Sequence, residues 1–189
     1  MSAYSWGEVL AVAQSAGANL TASTSATSLL PTHAVFTLPA GFFDRPGKML
    51  KIIAAGQLGN IVTTPGTLTL DVQLGGSVVA FNGGAMQLSS TAHTTLPFFL
   101  EILLTCRAIG SGTSANLIGQ GRMTAQSLSL TAVADSTTTP ATLLLPNTTP
   151  GVGTGFDSTA AQKVDLRGTF SLSNANAIQV QQYALISLN

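Results

Sequence analysis

The chain has 189 residues, enough for one domain that buries roughly 70 % of the surface its unfolded form exposes, so no disulfide or structural metal is required to hold it. Charged residues are 7 % of the chain against a usual value of about 25 %, seven basic side chains cancel seven acidic ones, and 45 % of residues are hydrophobic. That balance excludes intrinsic disorder, which pairs low hydrophobicity with high charge, and it excludes nucleic acid as a partner, because Arg45, Lys48, Lys51, Arg107, Arg122, Lys163 and Arg167 are scattered and form no basic stripe.

The N-terminal segment MSAYSWGEVLAVAQSAG has no basic region and carries Glu8 where a secretory signal would be apolar. The longest apolar run, 96–106, is too short to cross a bilayer and contains Glu101, so no membrane partner is expected. These features predict a soluble protein, made and kept in a cytoplasm until something releases it. Its polar surface must come from Ser, Thr, Asn and Gln, which are solvated without long-range repulsion and so suit life in an assembly. The lone Cys106 sits in an apolar strand and reads as a buried, inert thiol.

Residues 1–31 differ in character from the rest of the chain. Trp6, Val9, Leu10 and Val12 make a short amphipathic piece ahead of the small-residue tract AQSAGANLTASTSATSLLP. This reads either as an N-terminal arm that docks on the body or a partner, with Tyr4 and Trp6 as its large anchors, or as the first strand of the body; residues 32–189 form a single domain. Alternation predicts strands at 33–38, 49–58, 67–74 and 77–81, with turns at AGFFDRPGK, TTPG, Gly75-Gly76 and Asn82-Gly83-Gly84. The strand at 94–107 places Leu96, Phe98, Leu100, Ile102, Leu104 and Cys106 on one face and Phe99 and Leu103 on the other. It is therefore expected to be central, covered in part on both sides, and able to supply part of an interface in a symmetric oligomer.

Next comes a strand at 117–130, with Gly119, Gln120 and Gly121 read as a bend or bulge. Residues 131–163 hold little pattern apart from a short run at 141–145. In 164–172 the even positions are apolar or small, Asn174-Ala175-Asn176 is a turn, and 178–188 alternates again to the end of the sequence. A segment patterned that far is expected inside a sheet, closing the fold. No segment sustains a capped helical period, so the fold class is all-β: a two-sheet antiparallel β-sandwich, jelly-roll-like or of another Greek-key order, with about eight to ten strands.

Chemistry finds little to work with. His33, His93, Glu8, Glu101 and five Asp residues are the acid-base inventory; the histidines read as ordinary exposed or edge residues, and no loop gathers the carboxylates, His or Cys that calcium or zinc requires. No catalytic residues, cofactor or metal are expected. The runs Gly110-Ser111-Gly112-Thr113 and Gly151-Val152-Gly153-Thr154-Gly155 lack the Lys-Ser or Lys-Thr of a phosphate loop and read as flexible turns. A serine-nucleophile elbow is missing, and the wide spacing of Tyr4, Trp6 and Tyr183 in sequence lowers a carbohydrate-binding reading without excluding it.

The run GTGFDSTAAQKVDLRGTFSLSNANAIQVQQYALISLN at 153–189, with LTASTSATSLLP at 20–31, resembles small virion proteins encoded among the head genes of tailed bacteriophages. Its most specific part is Gly-Thr-Gly-Phe-Asp-Ser-Thr at 153–159. The resemblance implies a jelly-roll-like decoration or cement protein, often a homotrimer, that binds the major capsid protein from outside the shell, with Tyr4, Trp6, Val9 and Leu10 as candidate capsid contacts. A departure from the family pattern falls at Arg167-Gly168, where an apolar or aromatic pair is expected. A receptor-binding or tail-fibre head is the alternative, and a depolymerase, which needs a carboxylate pair, is the weakest reading.

Overall fold

The computed structural model describes residues 7–61, 64–129 and 140–188. Through them run β1 (Gly7–Val12), β2 (Leu20–Thr21), β3 (Thr27–Ser28), β4 (Phe36–Leu38), β5 (Met49–Asn60), β6 (Thr67–Leu74), β7 (Val78–Gln87), β8 (His93–Ala108), β9 (Asn116–Ala125), β10 (Ala141–Leu145), β11 (Gln162–Phe170) and β12 (Ala177–Leu188). A 3-10 turn, Thr32–Ala34, takes the start of the strand expected at 33–38. No described helix is long and apolar enough to cross a membrane.

The strands form two antiparallel sheets packed as a sandwich. The larger has the order β1-β12-β5-β8-β9-β10, with β2 also on β12; the smaller has the order β3-β11-β6-β7, with β4 also on β11. The wrapping is jelly-roll-like in that the first and last long strands, β5 and β12, pair in one sheet while β6 and β11 pair in the other. Inward positions of both sheets are apolar, with Leu50, Ile52, Leu100, Ile102, Leu166, Phe170, Ile178 and Leu185 among the buried residues. The cause is the period of two that alternating sequences impose on a pleated strand, reset in β12 by an irregularity between Val180 and Gln182 that turns odd positions inward after it.

The segment before residue 32 joins both sheets. Gly7 pairs with Leu188 and Val12 with Ala184; the Ala13 and Gly17 amides donate to the Tyr183 and Val180 carbonyls at 3.0 and 2.8 Å; then Leu20 pairs with Ile178. The N-terminal segment thus runs along one edge of β12, while β3 adds to β11 at Arg167 and Gly168. The last strand lies inside the larger sheet, as its patterning predicts.

Three glycine readings need correction. Gly75-Gly76 is a turn, with φ of 62° and 92°, but Asn82-Gly83-Gly84 is not: β7 continues to Gln87, and the register slips twice against β6. The bulged chain uses Gly84 at φ 73°. At Gly119 and Gly121 there is no bulge, since β8 and β9 stay in register from Phe98–Ala125 to Cys106–Leu117. Glycine is needed for space, because a Cβ on Gly119 would lie 2.2 Å from the Phe81 ring and one on Gly121 would lie 2.2 Å from the Glu101 carbonyl oxygen.

Gly153 and Gly155 are likewise not parts of a flexible turn. The connection between β10 and β11 is a strap bridging the two sheets: Thr154 N–H donates to Val79 O on β7 at 3.0 Å, while Gly153 N–H reaches Leu117 O on β9 at 2.9 Å. Phe156 exchanges backbone hydrogen bonds with Ala115 and buries its ring against Phe43, with centroids 5.4 Å apart. The strap passes so close that a Cβ on Gly153 would sit 1.9 Å from Ala80 O. Asp157 then accepts from both the amide and the hydroxyl of Thr159, at 2.8 and 2.6 Å, and the Thr159 hydroxyl bond holds its carboxyl below the usual range. The motif at 153–159 is therefore a clamp between sheets.

The departure at Arg167-Gly168 also has a packing explanation. The side chains of Leu29 and Leu20 already fill the space over Gly168, within 3.3 Å of where a Cβ would stand. Arg167 donates to Gln73 Oε1 at 2.7 Å and its Nε lies 3.5 Å from Asp165, whose other oxygen accepts from Ser28 at 2.6 Å. Asp71 faces Arg167 across the β6–β11 pair, and burial pushes its carboxyl up despite that cation.

Cys106 is fully buried, and its thiol donates to Ala108 O at 3.3 Å. Burial pushes the thiol pKa up, leaving little thiolate to react. Native protein should not react with Ellman's reagent over minutes and should release one equivalent of the coloured thiolate on denaturation. Rapid native reaction would show that this part of the core opens.

Candidate functional site

A strand whose two faces are both apolar must bury both or leave one for a partner. In β8 the inward face is buried, but the outward Phe99 and Leu103 are 43 % and 38 % exposed. This agrees with the expectation that the second face is covered only in part. Cross-strand register extends the apolar surface: Val9, Ile186, Lys51, Leu103 and Gln120 form one row, and Val12, Ala184, Ile53, Glu101, Arg122 and Leu144 form the next. A third row runs through Gln182, Ala55, Phe99, Thr124 and Thr142, and a fourth through Gly7, Leu188, Met49, Thr105 and Ile118. The outer face of the larger sheet thus carries exposed apolar side chains from β1, with Val9 58 % exposed, to β10, with Leu144 74 % exposed, interleaved with polar ones such as Gln120, Gln182, Thr124 and Thr142.

Its charges are gathered in one place. Lys51 Nζ lies 2.5 Å from Glu101 Oε1 and an Arg122 nitrogen 3.2 Å from Glu101 Oε2, on three adjacent strands. The hydrogen bond from Lys51 chiefly, with the charges of Lys51 and Arg122, holds the Glu101 carboxyl below its usual range. One carboxylate answers two cations, so the trio keeps a net positive charge, and it lies in the middle of the face, with Glu101 between Phe99 and Leu103 on β8.

Of the residues expected to meet the capsid, Tyr4 and Trp6 lie outside the described residues. Val9 stands on the outer face, whereas Leu10 packs against the core at a β1 bulge. Sequence reading overlooked Leu144, Ile53 and Ile186 as members of one surface. The alternation of β5, β10 and β12 marked their faces, but only the strand order puts those faces side by side.

Two concavities complete the surface. One of about 420 Å³ lies between the strap and β7, lined by Val79, Phe81, Asn82, Thr148, Val152 and Thr154. Another of about 330 Å³ sits at the sandwich end, among Gly59, Asn60, Ile61, His93, Thr95 and Ala175. His93 is buried there, opposite Asn60 on β5, which corrects its reading as an exposed or edge residue. His33 lies at the surface, where its Nε2 accepts the Gln14 amide at 2.9 Å. Among the described residues, no three His, Cys, Asp or Glu side chains gather to hold a metal ion.

These observations define an all-β, two-sheet sandwich with exposed apolar side chains on the outer face of its larger sheet. Comparison adds little to that class. No protein-family model matches the chain, and no curated protein matches it. A solved structure with partial likeness is the CBM2 module of the evolved Dit of Lactobacillus casei BL23 phage J-1, at 11 % identity and a TM-score of 0.25 over 81 % of this chain and 67 % of that one.

Proposed function

We propose that the protein is a structural component of a bacteriophage virion, a decoration or cement protein that binds the outer surface of the head and braces the shell. The observation that carries this reading is the outer face of the larger sheet, where Val9, Ile53, Phe99, Leu103, Leu144 and Ile186 stand exposed or half-buried on five strands around one charged cluster. Such a face acts by burying area against protein, with no chemistry required. The resemblance of residues 153–189 to phage head proteins supplies the setting, and the scarcity of charge suits dense packing of copies on a lattice. β1, with Val9 outward and Tyr4 and Trp6 preceding it in sequence, is the first candidate for contact with the major capsid protein.

Cryo-electron microscopy of virions carrying this gene tests the reading. The expected result is sandwich-shaped density repeated on every capsomer of the head; density confined to the tail would overturn it in favour of a receptor-binding role.

A further inference from the structure

We infer that the concavity at the end of the sandwich, lined by Asn60 and His93, is a binding site for a small neutral alcohol, a molecule with an apolar body and one hydroxyl. The inference is independent of the proposed function and uses a different surface.

A bulge builds the site. Inward positions of β8 are even-numbered from Phe98 to Cys106, yet His93 is turned inward and only 8 % exposed. Against β5 the register passes from Leu58–Leu96 to Asn60–His93, so β8 carries one extra residue there, and Thr95 takes φ 50°, a conformation that favours glycine. The bulge lies tight on β5: a Cβ on Gly59 would stand 3.1 Å from His93 O and 3.2 Å from Thr95 N. The other two non-glycine residues at positive φ among the described residues, Ala22 and Thr64, are at the same end. They are hydrogen-bonded to Asn176 and Asn174, in the loop that brings Ala175 to the rim. Strain of this kind persists where the surroundings enforce it, and it gathers at binding sites.

Buried polar atoms then select the ligand. Asn60 is 5 % exposed, and its Nδ2 donates to the carbonyls of Ile61, Ser89 and Thr91, which fixes the amide with Oδ1 as the free end. Neither Oδ1 nor His93 Nε2 has a partner. The two residues are cross-strand neighbours with side chains on one face, about 5 Å apart at Cβ. Buried polar atoms are rarely left unpaired, so an occupant that pairs both is favoured. Oδ1 only accepts, so the occupant donates; a hydroxyl also accepts, and so serves both atoms from one position. Both atoms are buried, so the hydroxyl must part the lining to reach them, and the strained bulge at Thr95 is the segment that yields. The rest of the lining includes Ile61, Ala92, Ala175 and Ala177 and no charged side chain. A carboxylate or an ammonium would therefore be buried unpaired, and a sugar would strand its further hydroxyls against the alanines. The volume, about 330 Å³, admits a compact ligand.

Phenol is the probe, titrated into the isotope-labelled full chain and followed by heteronuclear NMR. Saturable shifts are expected at the amides of Gly59, His93, Thr94 and Thr95, with a dissociation constant of about 1–10 mM, fitting for so small a molecule. Toluene, which has no donor, should bind roughly tenfold more weakly, and benzoate should leave these amides unmoved. His93→Leu should weaken phenol binding roughly tenfold or more while holding or raising Tm, because it removes a buried polar atom that has no partner. Ala175→Phe, at the exposed rim, should block phenol without touching the core.

No saturable shift at these amides, or toluene binding as tightly as phenol, would overturn the inference. So would undiminished phenol binding by either variant. A marked fall in Tm with His93→Leu would show the imidazole satisfied within the fold and overturn it too.

Discussion

Phe156→Ala is expected to cost about 3–5 kcal/mol of folding stability, the range for deleting a fully buried aromatic ring. The ring is 1 % exposed and meets Phe43 at a steep angle, while Phe43 in turn packs edge-on to Phe42 at 5.1 Å. The strap carrying Phe156 bonds to β7 of one sheet and β9 of the other, so loss of the ring weakens a tie between layers as well as emptying a cavity. Urea denaturation measures it: the midpoint should fall with little change in slope. A loss below about 1 kcal/mol would mean that the strap is dispensable to the sandwich. Gly153→Ala should act in the same direction, since its new Cβ would collide with backbone at Ala80.

The second large effect is expected at Arg167. Replacing it with Leu leaves Asp165 and Asp71 without their shared cation and frees Gln73 Oε1, at a cost of roughly 2–4 kcal/mol at neutral pH. The pH dependence has a definite sign. Burial raises the folded-state pKa of Asp71, so ionised Asp71 costs stability above its unfolded value, and that cost disappears as pH falls and the group takes up a proton. Without Arg167 the cost grows. The difference between wild type and variant should therefore be largest near pH 7 and shrink toward pH 4, and adding Asp71→Asn should recover part of it. A pH-independent loss would assign the effect to packing alone.

The all-β class, the two-sheet sandwich and most strand positions were legible because alternation is written locally, residue against next-but-one. The central place of β8 and the interior place of β12 were legible for the same reason. What escaped depends on distance in the chain. Glycines at 119, 121, 153 and 155 look like punctuation in sequence, yet their purpose is room for Phe81, Glu101, Ala80 and Thr113, which only the fold brings near. Likewise the exposed Phe99 and Leu103 look the same in sequence as a strand covered on both faces. Whether a layer lies over them is a property of sheet order, and the outer surface formed with Ile53, Ile186 and Leu144 could not be assembled from any single segment.

The position of β12 between β1 and β5 sets a timetable for folding. Val9 finds its partner Ile186 only after nearly all of the chain between them has been synthesised, and until then both β1 and one edge of β5 stand open. The larger sheet cannot be completed until β12 has emerged from the ribosome, and its slow, non-local closure leaves the growing chain with unpaired strand edges in a crowded cell. Expression yield should therefore be governed by events on the ribosome and by chaperone supply, even where the finished sandwich is stable.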